Sequence, residues 1–208
     1  MTAAVLVLEV AFVSITLVGR MALQWRRTGD TGFRLSSSLP AAARLSSGLM
    51  TFGSAAWIGA PALALLGWSD HDDVVPSAIR VLGLAFVVIS FALATWSQLA
   101  MGRSWRIGVD EAERTDLIIA GPFRVVRNPI FSAMALASIG VALVVPTVVA
   151  LVGAIAVIVG IETQARFVEE PYLLRTHGRA YGRYTEDVGR FVPAVGRFGR
   201  SPDGNVSS

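Results

Sequence analysis

Residues 130–167 read IFSAMALASIGVALVVPTVVALVGAIAVIVGIETQARF, an apolar run that is interrupted at Pro146. A transmembrane helix needs roughly 20 apolar residues to cross a hydrocarbon core, so this run is too long for one span. Proline removes a backbone hydrogen bond and disfavours helical geometry at the residue before it. We therefore expect Val145-Pro146-Thr147 to divide the run into a transmembrane helical hairpin whose first arm is short.

The composition of the whole chain also indicates a membrane protein. Of its 208 residues, 53% are hydrophobic and 16% are charged, and the mean hydropathy is +0.59. Soluble domains are about 25% charged, so these values exclude a disordered chain and a typical soluble enzyme. Cysteine is absent, which excludes disulfides, a thiolate nucleophile, iron–sulfur clusters and Cys-ligated zinc. The two histidines, His71 and His177, lie far apart in the sequence, so no metal site is predicted.

Three further apolar segments are each long enough to cross the bilayer: residues 3–23, 48–68 and 77–101. With the hairpin, they predict an all-α integral membrane protein of about five transmembrane helices. The three N-terminal spans would occupy residues 1–101, with a polar loop at 24–47. Residues 102–198 would form a second unit around the hairpin at 130–167. Residues 199–208 are small and polar and are predicted to be disordered.

The placement of the basic residues orients these predicted helices. All 18 basic residues are arginines, and 17 of them lie in residues 20–44, 103–127 and 166–200, whereas only Arg80 lies elsewhere. Loops on the cytosolic side of a membrane carry an excess of basic residues. We therefore expect the N-terminus outside and the C-terminus in the cytosol, with the acidic loop at 69–73 also outside. The polar segments on either side of the hairpin should then meet at its cytosolic mouth.

The segment that precedes the hairpin is the first candidate site. It reads GPFRVVRNP at residues 121–129. Pro129 suits the first position of a helix, and Asn128 suits the N-cap before it. The free N–H groups and the positive dipole of that helix end would bind an anion such as a carboxylate, and Arg124 and Arg127 would add bidentate contacts. The alternative is an ordinary capped helix with arginines that only orient it.

The segment that follows the hairpin is the second candidate site. Arg166 has the helical spacing for an ion pair with Glu169 or Glu170, and Pro171 should break the fifth span or start a new helix. In steps of four and three residues, one face of that helix would carry Glu170, Leu174, His177, Tyr181 and Tyr184. Adjacent carboxylates at a membrane surface would suit a ribose diol or an ammonium group. The alternative is plain amphipathic docking of this face.

Three other polar residues are weaker candidates. Glu9 lies inside the first span, where an ionisable group is a functional candidate, although it is near enough to the outer end to snorkel. Glu162 lies one turn before Arg166 and offers it a different partner. His71 stands among three aspartates and is interpreted as part of a solvated loop.

The two candidate segments resemble the isoprenylcysteine carboxyl methyltransferase family of membrane enzymes, which is related to the phospholipid N-methyltransferases. The family pattern G-x-[FY]-R-x-x-R-[HN]-P-x-[YF] is matched by GPFRVVRNPIF at residues 121–131. The later pattern E-E-x-x-L…G-x-x-Y-x-x-Y is matched by EEPYL at 169–173 and GRAYGRY at 178–184. GRSWR at residues 102–106 also resembles bacterial members. The resemblance spans residues 102–193.

This resemblance implies that residues 102–198 form a methyltransferase core that uses S-adenosylmethionine at the cytosolic membrane face. It also implies a lipophilic acceptor that enters from the bilayer, and a location in a bacterial inner membrane. By resemblance, the cofactor would be held by Gly121, Pro122, Phe123, Arg124, Val126, Arg127, Asn128, Pro129, Glu169, Glu170 and Tyr181. Arg166 and Tyr184 would lie near the reaction centre. The chain departs from eukaryotic members at Asn128, where they usually have His, and at His177, where they often have Phe.

The chemistry of methyl transfer favours a carboxylate as the acceptor. A carboxylate is already ionised at neutral pH and needs no general base. An alcohol or an amine would need one, and Glu170 is the nearest candidate for that catalytic role. We therefore expect O-methylation of a carboxylate on an isoprenoid-like or other lipid molecule, with membrane lipids as the partners and neither nucleic acid nor metal.

Other functions remain open at this stage. One alternative is a lipid N-methyltransferase or hydroxyl-methyltransferase. Another is an NADPH-dependent membrane reductase related to sterol reductases, which have about twice as many spans. A third is a non-catalytic small transporter or scaffold, although the chain lacks the internal symmetry common in transporters.

Overall fold

The computed structural model describes residues 1–29, 40–68, 75–102 and 116–199, and throughout these ranges the regular elements are helical. In chain order, the helices are α1 (Thr2–Val13), α2 (Arg20–Thr28), α3 (Ala41–Leu65), α4 (Ser77–Met101), α5 (Pro129–Val144), α6 (Val148–Gln164), α7 (Glu170–His177) and α8 (Arg179–Asp187). π-helical turns join α1 to α2 at Ser14–Gly19 and α6 to α7 at Ala165–Glu169. The predicted acidic loop at 69–73, residues 103–106 of the GRSWR segment and the tail beyond Gly199 lie outside the described residues.

Four described helical stretches are long and apolar enough to cross a membrane: Thr2–Arg26, Ala41–Leu65, Ser77–Met101 and Val148–His177. Helix α5 is also apolar, but it has only 16 residues. The prediction of an all-α integral membrane fold is therefore confirmed, including a short fourth helix.

The hairpin is divided where the sequence predicts. Helix α5 ends at Val144 and α6 begins at Val148, so residues 145–147 form the connection. The Thr147 side chain caps α6, because its hydroxyl oxygen accepts a hydrogen bond from the backbone N–H of Ala150 at 2.9 Å. Proline thus ends one helix, and a threonine N-cap begins the next.

Helix α3 begins earlier than the sequence predicts, at Ala41 instead of near residue 48. The extra turns carry Arg44, Ser46 and Ser47, whose polarity lowers the local hydropathy. Ser46 is nevertheless fully buried, and its hydroxyl donates to Oε1 of Gln164 at 2.6 Å. A contact with the end of α6 therefore supports a helical turn that hydropathy alone assigns to a loop.

The helices pack in two close pairs, α3 with α6 and α4 with α5, and glycines face each other in both pairs. A Cβ atom on Gly83 would lie 2.6 Å from the carbonyl oxygen of Gly140, and one on Gly53 would lie 2.8 Å from that of Gly153. Small residues allow such close backbone approach between helices in a bilayer. A Cβ atom on Gly160 would also meet Met50 at 2.8 Å, so the small-residue face of α6 packs within the chain.

The N-terminal helices are fastened to α3 and α4 by aromatic and polar contacts. The ring of Phe12 lies 6.0 Å from that of Trp57 and 5.7 Å from that of Phe91. The π turn at Ser14–Gly19 presents the carbonyl oxygen of Thr16, which accepts a hydrogen bond from Nε2 of Gln98 at 2.8 Å.

Two ionisable side chains of the first membrane segment are buried. Arg20 is 4% exposed and donates from Nη2 to the carbonyl oxygen of Gly102, at the end of α4. Glu9 is fully buried beside Trp57, so it does not snorkel to the outer surface as its position near the helix end would allow.

Candidate functional site

The loop before α5 begins with a 3-10 turn at Gly121–Arg124. Gly121 has φ +59°, in the region that glycine adopts without strain. A Cβ atom at this position would also lie 3.3 Å from that of Ala100, so the turn packs closely on the end of α4. The start of the first sequence motif is therefore held against the third membrane helix.

The loop then pairs with the chain that follows α8. The N–H of Arg127 donates to the carbonyl oxygen of Gly189 at 2.8 Å, and the N–H of Asn128 donates to that of Arg190 at 3.0 Å. Val126 and Gly189 form an isolated parallel β-bridge. The structure therefore brings the segments before and after the hairpin together at the hairpin mouth, which we define as the end formed by Pro129 and Gln164.

Asn128 and Pro129 occupy the helix positions that the sequence predicts. Asn128 is the N-cap of α5, and Pro129 is its first residue. The Asn128 side chain, however, does not cap the helix: its Nδ2 points toward the carbonyl oxygen of Arg190 at 3.4 Å. The positive end of α5 thus has no side-chain cap from this residue and is suited to bind an anion.

Glu170 lies between two arginines. Its Oε1 accepts hydrogen bonds from Nη2 of Arg127 and Nε of Arg190, both at 2.7 Å, and its Oε2 accepts from Nη2 of Arg190 at 2.8 Å. The three residues are 4–9% exposed. The hydrogen bond to Glu170 raises the pKa of Arg190 from its ordinary value, so this guanidinium stays charged. We call this cluster the Arg127–Glu170–Arg190 clamp.

Arg127 extends the clamp into the C-terminal segment. Its Nη1 donates to the carbonyl oxygen of Val188 at 2.6 Å, and its Nη2 donates to that of Gly196 at 3.0 Å. The guanidinium carbon also lies 5.2 Å from the centre of the Phe198 ring. Arg127 was predicted to bind an anionic ligand. In the structure, its Nη1 and Nη2 atoms instead donate hydrogen bonds to groups of the protein itself.

Arg166 does not pair with Glu169 or Glu170 in this structure. Its Nε donates to Oε1 of Glu162, one helical turn earlier, and its side chain is 51% exposed. The π turn at Ala165–Glu169 adds a residue to this turn of the helix and so changes the direction of the side chains that follow it. Glu170 accordingly points inward to the clamp, while Arg166 points outward.

The predicted continuous face from Glu170 to Tyr184 is wrong, because the helix breaks at Gly178. This residue has φ +51°, so α7 ends at His177 and α8 starts in a new direction. Tyr181 is nevertheless buried, at 1% exposure, and its ring lies 6.0 Å from that of Tyr184.

The two tyrosines join α8 to the site as neutral groups. The Tyr184 hydroxyl donates to the carbonyl oxygen of Phe123 at 2.5 Å. Burial raises the pKa of both Tyr181 and Tyr184 well above the ordinary value for tyrosine. Both phenols are therefore protonated at neutral pH, so they act as hydrogen-bond donors rather than as bases.

A family model described as phospholipid methyltransferase matches residues 78–180, from the first turn of α4 to the start of α8. The chain belongs to this family. These integral-membrane methyltransferases are related to the isoprenylcysteine carboxyl methyltransferases, so the resemblance inferred from the motifs is confirmed. No curated protein matched the chain.

Membership in the phospholipid methyltransferase family makes the chain a membrane methyltransferase with a lipid-like substrate. The matched residues include the loop and Glu170, but Arg190 lies beyond them. Arg190 was not predicted as a site residue, because in the sequence it is one of the arginines that orient the helices. Arg190 follows the end of α8 and so belongs to no helical periodicity; only the long-range pairing with Asn128 brings it to Glu170.

The remaining residues of this methyltransferase that the sequence singled out differ in exposure. Pro122 and Val126 are buried within the loop, whereas Arg124 is exposed. Glu169 is half-buried beside Gln164 and Glu170. Over residues 1–29, 40–68, 75–102 and 116–199, no group of three or more acidic or histidine side chains is placed to hold a metal ion.

Proposed function

We propose that the chain transfers a methyl group from S-adenosylmethionine to a lipophilic acceptor that reaches the hairpin mouth from the bilayer. The observation that carries this proposal is the pairing of residues 126–128 with 189–190, which assembles both family motifs around the start of α5. By the distribution of arginines, the mouth would face the cytosol. The bacterial inner membrane is implied by the family resemblance alone.

The residues at the mouth suit the cofactor. The positive end of α5, which Asn128 leaves without a side-chain cap, would hold its carboxylate. Nε of Arg127 is buried and has no hydrogen-bond partner among the described residues, so it is a further donor for an anionic group. Glu169 would bind the cofactor's ammonium group or ribose hydroxyls. S-adenosylmethionine supplies, when bound, a methyl group on a positively charged sulfur.

The chain's own contribution to catalysis would be mainly positioning. Methyl transfer is an in-line displacement, so holding the two reactants in line lowers the barrier by removing translational and rotational freedom. The clamp and the bond from Tyr184 to Phe123 fix the loop relative to α7 and α8. Rigid placement of the loop would keep the methyl group aligned with the acceptor.

A lipid carboxylate is the acceptor that the geometry supports best. Both carboxylate oxygens of Glu170 accept hydrogen bonds from guanidinium groups, and burial raises the pKa values of Tyr181 and Tyr184. These three residues therefore supply no free base at neutral pH. A carboxylate needs none. Arg124 is exposed and Arg166 half-exposed, so either guanidinium could orient such an acceptor by a bidentate contact.

Methylation of a lipid amine is the second candidate. The family model's description, phospholipid methyltransferase, favours a lipid headgroup as the acceptor. Glu169 at the mouth could attract an ammonium group, whereas Glu170 is neutralised by the clamp. The same family match favours an enzyme over the transporter, scaffold and reductase alternatives.

The test is a labelling experiment with the full chain in lipid nanodiscs. Methyl-labelled S-adenosylmethionine and a bacterial lipid extract are added, and the organic phase is analysed for base-labile ester and base-stable amine. We expect labelled ester; labelled headgroup amine would select the second candidate.

Glu169→Gln should weaken cofactor binding at least tenfold, whereas the matched loss of charge at exposed Asp187, in D187N, should not. A folded protein that neither binds the cofactor nor labels any lipid would overturn the proposal.

A further inference from the structure

The segment after α8 packs against the N-terminal end of α5. Ser132, in the first turn of α5, donates from its hydroxyl to the carbonyl oxygen of Phe191 at 2.7 Å. This contact lies just beyond the pairing of Asn128 with Arg190. Residue 191 is therefore level with the first turn of a helix whose remaining turns are apolar and membrane-embedded.

The short length of α5 draws this level to the headgroup region or below it. At 1.5 Å per residue, its 16 residues span about 24 Å, whereas a hydrocarbon core is about 30 Å thick. A helix shorter than the core draws its ends toward the membrane or thins the bilayer around them. The first turn of α5, and the chain bonded to it, should therefore lie at or below the headgroups.

The residues that follow Phe191 expose apolar side chains at this level. Val192 is 55% exposed and Val195 is 61% exposed, and Pro193 between them is also exposed. The turn is closed by the N–H of Val195, which donates to the carbonyl oxygen of Val192 at 3.1 Å. Exposed apolar residues that adjoin a membrane helix are typical of contact with lipid.

The shape of the turn is held firmly. Ala194 has φ +65°, a conformation that non-glycine residues rarely adopt and that surrounding contacts must maintain. The N–H of Arg190 donates to the carbonyl oxygen of Val195 at 2.8 Å, and Gly196 accepts a hydrogen bond from Arg127. Both contacts tie the turn to the Arg127–Glu170–Arg190 clamp.

We propose that residues 192–195 form a membrane anchor that enters the boundary between headgroups and acyl chains on the leaflet at the hairpin mouth. The partner is the lipid surface itself, and the exposed Arg197 beside the turn suits a lipid phosphate. Because the turn is bonded to the clamp, the anchor sets the depth of the site in the bilayer. This inference requires only that α5 is membrane-embedded and does not depend on the methyl-transfer reaction.

The chain has no cysteine, so single labels can be introduced directly. V192C and V195C are labelled with bimane in nanodiscs and are exposed to brominated lipids or to aqueous iodide. L151C on the lipid-facing side of α6 and D187C on the exposed side of α8 are the matched controls. Both turn labels should be quenched by brominated lipid within twofold of L151C, and by iodide at least threefold less than D187C.

Three outcomes would overturn the anchor. Iodide quenching of either turn label at the level of D187C would place the turn in water. Absence of quenching by both reagents would mean that protein covers it. Lipid quenching of only one turn label would mean that the turn does not enter the leaflet as a unit. Valine and cysteine are similar in size, and each sample is checked for unchanged monodisperse elution, so misfolding is recognised separately.

Discussion

Replacing Glu170 by Gln would leave the guanidinium groups of Arg127 and Arg190 buried without an anion between them. The carboxylate now accepts three hydrogen bonds, at 2.7–2.8 Å. In E170Q, the amide nitrogen would face a donor from one of the arginines, so at least one bond becomes a contact between two donors. Removing one member of a buried ion pair typically costs about 3–5 kcal/mol.

This cost should appear as local opening of the C-terminal segment. The membrane helices keep their own packing, whereas residues 188–198 are held by the clamp together with the backbone pairing to residues 126–128. Hydrogen exchange of these amides in nanodiscs should accelerate about 10²- to 4 × 10³-fold in E170Q, since each 1.4 kcal/mol corresponds to a factor of ten. The matched control is D187N, which loses an exposed carboxylate at the end of α8 and should change exchange less than about fivefold.

A double-variant cycle identifies the source of the effect. R190Q alone leaves Glu170 with Arg127, and the E170Q/R190Q double variant removes one charge of each sign. Because the two residues are in contact, the double variant should be less destabilised than the sum of the single variants by about 0.5–3 kcal/mol. Equal exchange rates in E170Q and D187N, or strict additivity in the cycle, would show that the clamp does not hold the segment.

Three further changes test the packing and the loop. Gly83→Ala should cost about 1–3 kcal/mol by thermal unfolding, because its Cβ would meet the backbone of Gly140. G59A has open space around the new Cβ and should be neutral or stabilising, so equal unfolding temperatures for the two variants would contradict this packing. Tyr184→Phe should lose about 1 kcal/mol of loop stability and weaken cofactor binding in titration calorimetry, and unchanged affinity would separate the loop from the cofactor. Gly121→Ala should cost about 1 kcal/mol because of its positive φ, and unaltered unfolding would refute that strain.

Local features of the sequence were sufficient for much of the fold. Hydropathy located the membrane helices, and Pro146 marked the turn of the hairpin, because each is a property of adjacent residues. Asn128 and Pro129 likewise occupy the predicted helix start. The start of α3 was misplaced because Ser46 is stabilised by Gln164, a partner remote in sequence.

The site depended more on tertiary structure. Periodicity predicted one continuous face from Glu170 to Tyr184, but Gly178 interrupts it, because a positive φ redirects the chain. The π turn before Glu170 altered the partner of Arg166, because an extra residue in a helical turn shifts the faces that follow. Neither change leaves a distinctive pattern in the order of polar and apolar residues.

Hydropathy and the motifs alone therefore identify a helical membrane protein with two family motifs around a hairpin. The length of an apolar segment and the identity of its residues are local features, so they can be recognised without knowledge of the fold. The neutralisation of Glu170 by Arg127 and Arg190, in contrast, arises only in the folded chain. The burial of these charges requires their mutual contact, and that contact exists only once the segment after α8 has paired with the loop before α5.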